Sequence, residues 1–274
     1  MQLRNISKDS KIIFIYYCLI IVWGSTFYFL GIKETAANYW YQFAFGLIPL
    51  IGGIWGMTKA KQWGMLKSKV GRAMFFMSLG AFSWGIGQMF WSIYYNILQK
   101  IDVPYPSLAD VGYSLSFPFL AIGLVSLSKA SGARISLKHV GGKILAAVIT
   151  IIATFVAYYL LIVVARGGVI DFEEGGLKLF FDLAYPLGDL VILLFALLIY
   201  GLSFNYLGGR YKYPILSIIL GLLVLFFGDF SFSYTTTVGT YYNGHWVDII
   251  LPTAWMLIVF GINCFDTKEQ GNRA

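Results

Sequence analysis

The sequence is poor in the side chains on which most catalytic and metal sites depend. Its 274 residues include two histidines and two cysteines. Neither His139 nor His245 lies in the middle of a long apolar run, and no two acidic residues within such a run have the i, i+3 or i+4 spacing that presents two ligands to one metal ion. A glycine-rich phosphate loop is also absent. These absences favour a non-catalytic protein but leave the question open, and no catalytic residue, metal site or cofactor is predicted.

Charged residues are scarce as well, which excludes a soluble domain of this size. Only 12% of the residues are charged, whereas 58% are hydrophobic and 18% aromatic. Apolar runs of about 18 residues or more can cross a bilayer as helices. Eight such segments can be counted, at approximately 12–32, 36–58, 73–98, 109–128, 140–165, 179–203, 214–236 and 246–265. The sequence therefore predicts an all-α, polytopic integral membrane protein with eight transmembrane helices. They form one membrane domain, residues 12–265, between tails at 1–11 and 266–274.

The net charge of +7 is distributed as the positive-inside rule requires. If the N-terminus is cytoplasmic, sixteen of the twenty Lys and Arg side chains fall on the cytoplasmic side. These sixteen are Arg4, Lys8, Lys11, Lys59, Lys61, Lys67, Lys69, Arg72, Lys129, Arg134, Lys138, Lys143, Arg210, Lys212, Lys268 and Arg273. The four on the outside are Lys33, Lys100, Arg166 and Lys178. The distribution predicts a multi-pass protein of the inner (cell) membrane, surrounded by the lipid bilayer, with both termini in the cytoplasm. It gives nucleic-acid binding little support.

A polar stripe interrupts the sixth apolar segment. Asp182, Tyr185 and Asp189 share one face of a helix, because residues three, four and seven apart lie on neighbouring turns. Pro186 lies within the stripe and cannot donate a hydrogen bond to the carbonyl four residues earlier. A carboxylate at this depth costs about 2.5 to 3.5 kcal/mol on insertion scales. The stripe is therefore expected to face protein or water and to have partners.

Proline recurs in alternate segments. The second, fourth, sixth and eighth segments each contain an interior proline, at Pro49, Pro118, Pro186 and Pro252, and the odd-numbered segments have none. Because proline bends a helix, Pro118, Pro186 and Pro252 are predicted to be hinges. We expect Pro186→Ala to alter signal coupling more than ligand affinity.

Short sequence matches suggest that the chain contains a repeat. Gly87-Gln88 precedes Asp110 by about the same distance as Gly228-Asp229 precedes Asp248. Together with the alternating prolines, this correspondence suggests two four-helix halves of the same orientation, residues 12–128 and 140–265.

The acidic and aromatic side chains of these segments converge on the outer half of the predicted membrane domain. An outward-opening polar cavity is the economical arrangement, and Ser116 and Ser231 are expected in its lining. Its predicted ligand-binding residues are Gln88, Trp91, Tyr95, Asp110, Tyr113, Asp182, Tyr185, Asp189, Asp229 and Tyr234. A purely structural interpretation stands beside this one. Ser107 and Asp110 would then cap the fourth helix, and the deeper aspartates would only fix helix packing.

Such a cavity is compatible with several functions. In a sensor, acidic and aromatic groups would bind a small outer ligand, for example a cation, and the proline bends would turn binding into helix movement. In a transporter, Asp189 and Asp229 would exchange protons or a cation. A subunit of a larger membrane complex would keep the fold for packing alone. The sensor or ligand-binding function is preferred, and Asp189→Asn is expected to abolish binding while leaving insertion intact.

Several of these residues lie in segments that resemble a known family. The segments are residues 106–113 (PSLADVGY), 117–118 (FP), 182–189 (DLAYPLGD), 228–229 (GD) and 246–248 (WVD). Over roughly residues 80–262 the chain resembles the multi-helix membrane sensor segment that precedes the cyclase and phosphodiesterase domains of bacterial cyclic di-GMP signalling proteins. The resemblance implies an input module and supplies no catalytic residue. Only nine residues follow Phe265, so a separate output protein or other membrane subunits are the expected partners.

Overall fold

The computed structural model describes residues 7–130, 140–164, 167–168, 176–203 and 212–265. Within these ranges the chain forms eight α-helices and no β-strand, which confirms the all-α prediction. The helices are α1 Lys8–Leu30, α2 Ala36–Gln62, α3 Lys69–Met89, α4 Leu108–Ala130, α5 Val140–Tyr158, α6 Gly176–Ser203, α7 Lys212–Thr237 and α8 Val247–Asn263. A 3₁₀ turn, Met65–Lys67, follows α2, and π-helices extend α3 through Phe90–Gln99 and α5 through Tyr159–Val164. Each predicted segment agrees with a helix to within four residues at either end.

In the described part of the chain, five helices are long and apolar enough to cross a membrane. They are α1, α2, α3 with its π-helical extension, α4 and α7. Shorter apolar helical stretches lie at Leu187–Ile199 in α6 and Val247–Asn263 in α8. Large apolar side chains point away from the bundle, as in Phe29 and Phe155, which are 82% and 76% exposed. Such exposure suits lipid, so the protein is a helical membrane protein.

The helices pack around α3 and α8. Helix α3 packs against α2 and α4, and α8 packs against α7, α2 and α1. Helix α6 lies between α4 and α7, and α5 packs on α6. Trp255 of α8 is fully buried. Because consecutive helices run in opposite directions, the starts of α2, α4, α6 and α8 and the end of α7 lie together at one end of the bundle.

Helices α2 and α3 approach each other closely because glycines face the contact. A Cβ added to Gly53 would lie 2.7 Å from the backbone nitrogen of Phe82, and one added to Gly85 would lie 2.8 Å from the Cα of Leu50. Side chains cannot be accommodated at such backbone contacts. The two contacts fix the register of α2 against α3.

The start of α4 is capped as the sequence predicts. The Ser107 backbone N–H donates to Asp110 Oδ2 at 2.5 Å, and the Ala109 N–H donates to Ser107 Oγ at 3.2 Å. These bonds satisfy donors that a helix start leaves without a partner. The prediction that Ser107 and Asp110 cap α4 is therefore confirmed. Asp110 also accepts a hydrogen bond from α6.

The prolines lie inside helices, where the sequence places them. Pro49, Pro118 and Pro252 are interior residues of α2, α4 and α8, and Pro214 is in the first turn of α7. The side chain of Pro186 lies outside the described residues. The hinge roles and the parallel repeat stay predictions.

Candidate functional site

A cavity lies at the end of the bundle where α2, α4, α6 and α8 begin. A volume of about 60 Å³ is open in it to the centres of water molecules, which is room for a few waters or a small ligand. Its lining residues come from α2, α3, α4, α6, α7, α8 and two loops. They are Gln42, Phe45, Trp84, Gln88, Trp91, Tyr105, Asp110, Tyr113, Ser116, Phe117, Tyr185, Asp189, Leu225, Asp229, Phe232, Ser233, Tyr241, Asp248 and Leu251.

The structure brings most of the predicted binding residues to this cavity. Seven of the ten line it: Gln88, Trp91, Asp110, Tyr113, Tyr185, Asp189 and Asp229. Ser116, also expected in the lining, is there too. The side chain of Asp182 lies outside the described residues. Whether these residues bind a ligand stays a prediction.

Tyr95 and Tyr234 do not line the cavity, contrary to expectation. The Tyr95 hydroxyl instead accepts a hydrogen bond from the Leu108 backbone N–H at 3.1 Å and so holds the start of α4. Tyr234 is 39% exposed.

The error on α7 has a simple geometric cause. At about 100° per residue, positions 231 and 234 point roughly 160° and 140° away from Asp229, whereas positions 232 and 233 lie within about 60° of it. Phe232 and Ser233 accordingly line the cavity, and Ser231 and Tyr234 do not.

A chain of hydrogen bonds between side chains crosses the cavity wall. The Tyr113 hydroxyl donates to Gln88 Oε1 at 2.7 Å, Gln88 Nε2 donates to Gln42 Oε1 at 2.8 Å, and Gln42 Nε2 donates to Asp248 Oδ2 at 2.5 Å. These hydrogen bonds link α4, α3, α2 and α8. Both amides donate and accept within it, which fixes their orientation.

Asp248 is the best-satisfied carboxylate of the site. Besides Gln42, its Oδ2 accepts from the Gly244 N–H at 2.7 Å, and its Oδ1 accepts from the Tyr241 hydroxyl at 3.0 Å. The side chain is 1% exposed. Burial is tolerated because fixed donors surround the carboxylate.

Asp110 joins α4 to α6. Its Oδ1 accepts from the Tyr185 hydroxyl at 2.5 Å, and its Oδ2 accepts from the backbone and hydroxyl of Ser107. Asp110 is 4% exposed. Both of its oxygens therefore have protein donors, in addition to its role in capping α4.

Asp189 differs from these two carboxylates. It is 2% exposed, and neither of its oxygens has a hydrogen-bond donor among the residues that the structure describes. The Asp229 carboxyl group of α7 lies close enough to share a hydrogen bond with it. Two carboxylates are both acceptors, so this contact becomes a hydrogen bond only when one of them carries a proton.

Aromatic rings form the rest of the wall. Trp84 packs against Tyr113 with ring centroids 5.1 Å apart, and Phe117 packs against Tyr185 at 5.9 Å. Tyr241 packs edge to face against Phe232, with ring centroids 4.7 Å apart. The face of an aromatic ring is negative, so a ring whose face borders the cavity can attract a cation.

The loop between α7 and α8, residues 238–246, contributes Tyr241 to the cavity wall. Asn243 Oδ1 accepts from Trp91 Nε1 at 3.0 Å, and the Asn243 carbonyl accepts from Asn38 Nδ2 at 2.8 Å. On the loop, burial and the nearby Lys33 ammonium lower the pKa of the His245 imidazole. The loop is thus anchored to α2 and α3.

Several lining residues were not predicted. Gln42 has a detectable signal, since it is an amide inside an apolar segment, as Gln88 is. Trp84 and Phe232 look like ordinary apolar residues, and Tyr105 and Tyr241 lie in connecting loops, where periodicity carries no information. Only the packing of helices and loops shows that these residues share a cavity.

Fold and site together define a class of protein: a helical membrane protein with a buried acidic and aromatic cavity. Among the described residues no group of three or more His, Cys, Asp or Glu could hold a metal ion. No protein-family model, curated protein or solved structure matches the chain. The likeness to the sensor segment of cyclic di-GMP signalling proteins therefore stays a prediction.

Proposed function

We propose that this protein binds a small cationic ligand in its cavity and works as a non-catalytic membrane sensor. One observation carries the proposal. Four carboxylates, from Asp110, Asp189, Asp229 and Asp248, line the cavity, and none of the lining residues in the described part of the chain is Lys, Arg or His. Aromatic rings complete the wall. A site with this charge and these surfaces favours a cation over a neutral or anionic molecule.

The proposed arrangement in the membrane has eight spans, with the cavity on the outer side. If the eight spans alternate in direction, the loop of 63–68 lies on the side where α1 begins. That side then carries sixteen of the twenty Lys and Arg side chains, which supports a cytoplasmic assignment and an inner-membrane location. The cavity lies at the opposite end. It would therefore be accessible to ligands from the outer side of the membrane. The cytoplasmic ends of the helices would contact a separate output protein or other membrane subunits.

The affinity expected for a very small probe is modest. The best tiny ligands reach about −1.5 kcal/mol per non-hydrogen atom, so a ligand of three such atoms would bind with a Kd of about 0.5 mM at best. Ethylammonium, ethanol and formate each have three non-hydrogen atoms and differ in charge. Calorimetric titration of the protein in lipid nanodiscs should detect ethylammonium and neither of the others.

A matched pair of variants on α4 tests where the probe binds. Phe117 lines the cavity, whereas Phe119 of the same helix does not. Phe117→Leu keeps an apolar side chain but removes the ring face, and should weaken ethylammonium binding by about 3- to 30-fold. Phe119→Leu should leave it unchanged. Equal affinity for the three probes, or equal effects of the two variants, would contradict the proposal.

A proton- or cation-coupled transporter is the second candidate, and the contact between Asp189 and Asp229 favours it. Transporters place such ionisable groups within the membrane to carry the coupling ion. The two functions differ in flux. The purified chain in liposomes should move ethylammonium or protons if it is a transporter, and should bind without movement if it is a sensor.

A further inference from the structure

The four carboxylates of the cavity are not equivalent. Asp248 and Asp110 each have hydrogen-bond donors from the protein on both oxygens. No described residue donates a hydrogen bond to Asp189, although it is 2% exposed. A buried carboxylate without a donor or a counterion is strongly unfavourable. Asp189 is therefore a position in the cavity where a partner is missing.

The neighbouring groups do not supply that partner. Asp229 faces Asp189 from α7. The other titratable groups of the lining are acidic or phenolic: Asp110 and Tyr113 from α4, Tyr185 from α6, Asp248 from α8, and Tyr105 and Tyr241 from loops. None of these brings a positive charge. Two carboxylates that face each other in a buried site cannot both ionise unless a positive charge lies beside them.

We propose that Asp189 and Asp229 together hold a single positive charge, and that a proton and a primary ammonium group compete for this place. In the empty site one carboxyl group carries the proton and donates it to the other. In the bound site the ammonium bridges both carboxylates, and the proton leaves to water. This inference rests on the proposed function and names its ligand class.

The geometry favours a primary ammonium over a quaternary one. A primary ammonium has three N–H donors, enough to satisfy an oxygen of each carboxylate at once. A quaternary ammonium has no donor and would leave both Asp189 oxygens without one. The aromatic wall would attract either cation, so the difference between them reports on the carboxylate pair.

Exchange of one proton for one cation has a measurable signature. Calorimetric titration of ethylammonium into the nanodisc-embedded protein, in two buffers of different ionisation enthalpy, counts the protons released. We expect close to one proton per bound cation in the pH range where the pair is protonated. Affinity should rise there by about tenfold per pH unit, and tetramethylammonium should bind at least tenfold more weakly.

Variants locate the exchange. In Asp189→Asn the amide donates to Asp229 as the proton does, so the fold should be retained while binding falls at least tenfold and proton release is lost. Asp229→Asn repeats the test from the other helix. Asp102→Asn removes an exposed carboxylate outside this cavity and should behave like the unaltered protein.

The outcomes separate this inference from the proposed function. If ethylammonium binding depends on Phe117 but releases no proton and survives Asp189→Asn, the competition is refuted while the cation site stands. If ethylammonium does not bind at any pH, both are refuted. Proton release of about one that disappears in both aspartate variants supports the competition.

Discussion

The hydrogen-bonded pair Gln42 and Gln88 should stabilise the protein measurably. The two amides lie on α2 and α3, and Gln88 Nε2 donates to Gln42 Oε1 at 2.8 Å. Both side chains are buried, at 1% and 3% exposure. Replacing Gln88 by Leu removes this bond and also leaves the Tyr113 hydroxyl without its acceptor, Gln88 Oε1.

The magnitude follows from the number of groups left without partners. A buried polar group without a partner costs about 1 to 3 kcal/mol, and Gln88→Leu creates two such groups. Hydrogen bonds between transmembrane helices are weaker than this sum implies, about 0.6 kcal/mol on average and about 1.7 at most. We therefore expect Gln88→Leu to lower the free energy of unfolding by about 2 kcal/mol. The coupling energy between positions 42 and 88 should be about 0.6 to 1.7 kcal/mol.

The assay is reversible unfolding in mixed micelles, followed by tryptophan fluorescence. Gln88→Leu, Gln42→Leu and the double variant form a double-mutant cycle, which isolates the coupling between the two amides. Gln99→Leu is the matched control, because Gln99 is an exposed residue at the end of the same extended helix.

Two results would refute this reasoning. A coupling energy below about 0.2 kcal/mol would mean that the two amides do not support each other. A cost of Gln88→Leu no larger than that of Gln99→Leu would mean that the chain of hydrogen bonds does not stabilise the cavity wall.

Two further predictions concern the ends of the bundle. Lys59, 6% exposed, donates to the Asn263 carbonyl at 2.5 Å and forms an ion pair with Asp9, so Lys59→Met should cost about 1 to 2 kcal/mol of unfolding free energy. Asp9→Asn, at the more exposed partner, should cost less than about 1 kcal/mol in the same unfolding assay, and the reverse order would contradict this. The pKa of the His245 imidazole is lowered in the folded protein. The stability that the neutral imidazole contributes is therefore present above the unfolded pKa of about 6.5 and is lost as the pH falls below that value. His245→Asn should therefore flatten the fall in melting temperature between about pH 7 and 5, and an unchanged slope would exclude this role for His245.

Much of the helical structure could be predicted from the sequence by itself. Eight apolar segments match eight helices, since the cost of placing a residue in lipid depends on that residue and its immediate neighbours. The cap of α4 is likewise local, because Ser107 and Asp110 are three residues apart. On α6, Tyr185 and Asp189 both reach the cavity, as the helical spacing of the polar stripe predicts.

The tertiary structure decided which faces meet. Gln42 and Asp248 are 206 residues apart in sequence, and no local pattern pairs them. The direction in which Asp229 points excludes Ser231 and Tyr234 from the cavity, and it depends on how α7 packs against α6 and α8. Among the described residues Asp189 has no hydrogen-bond donor, whereas Tyr185 of α6 donates to Asp110 and the loop before α8 donates to Asp248. Hydropathy and periodicity are properties of one segment, but a cavity belongs to the contact between several segments.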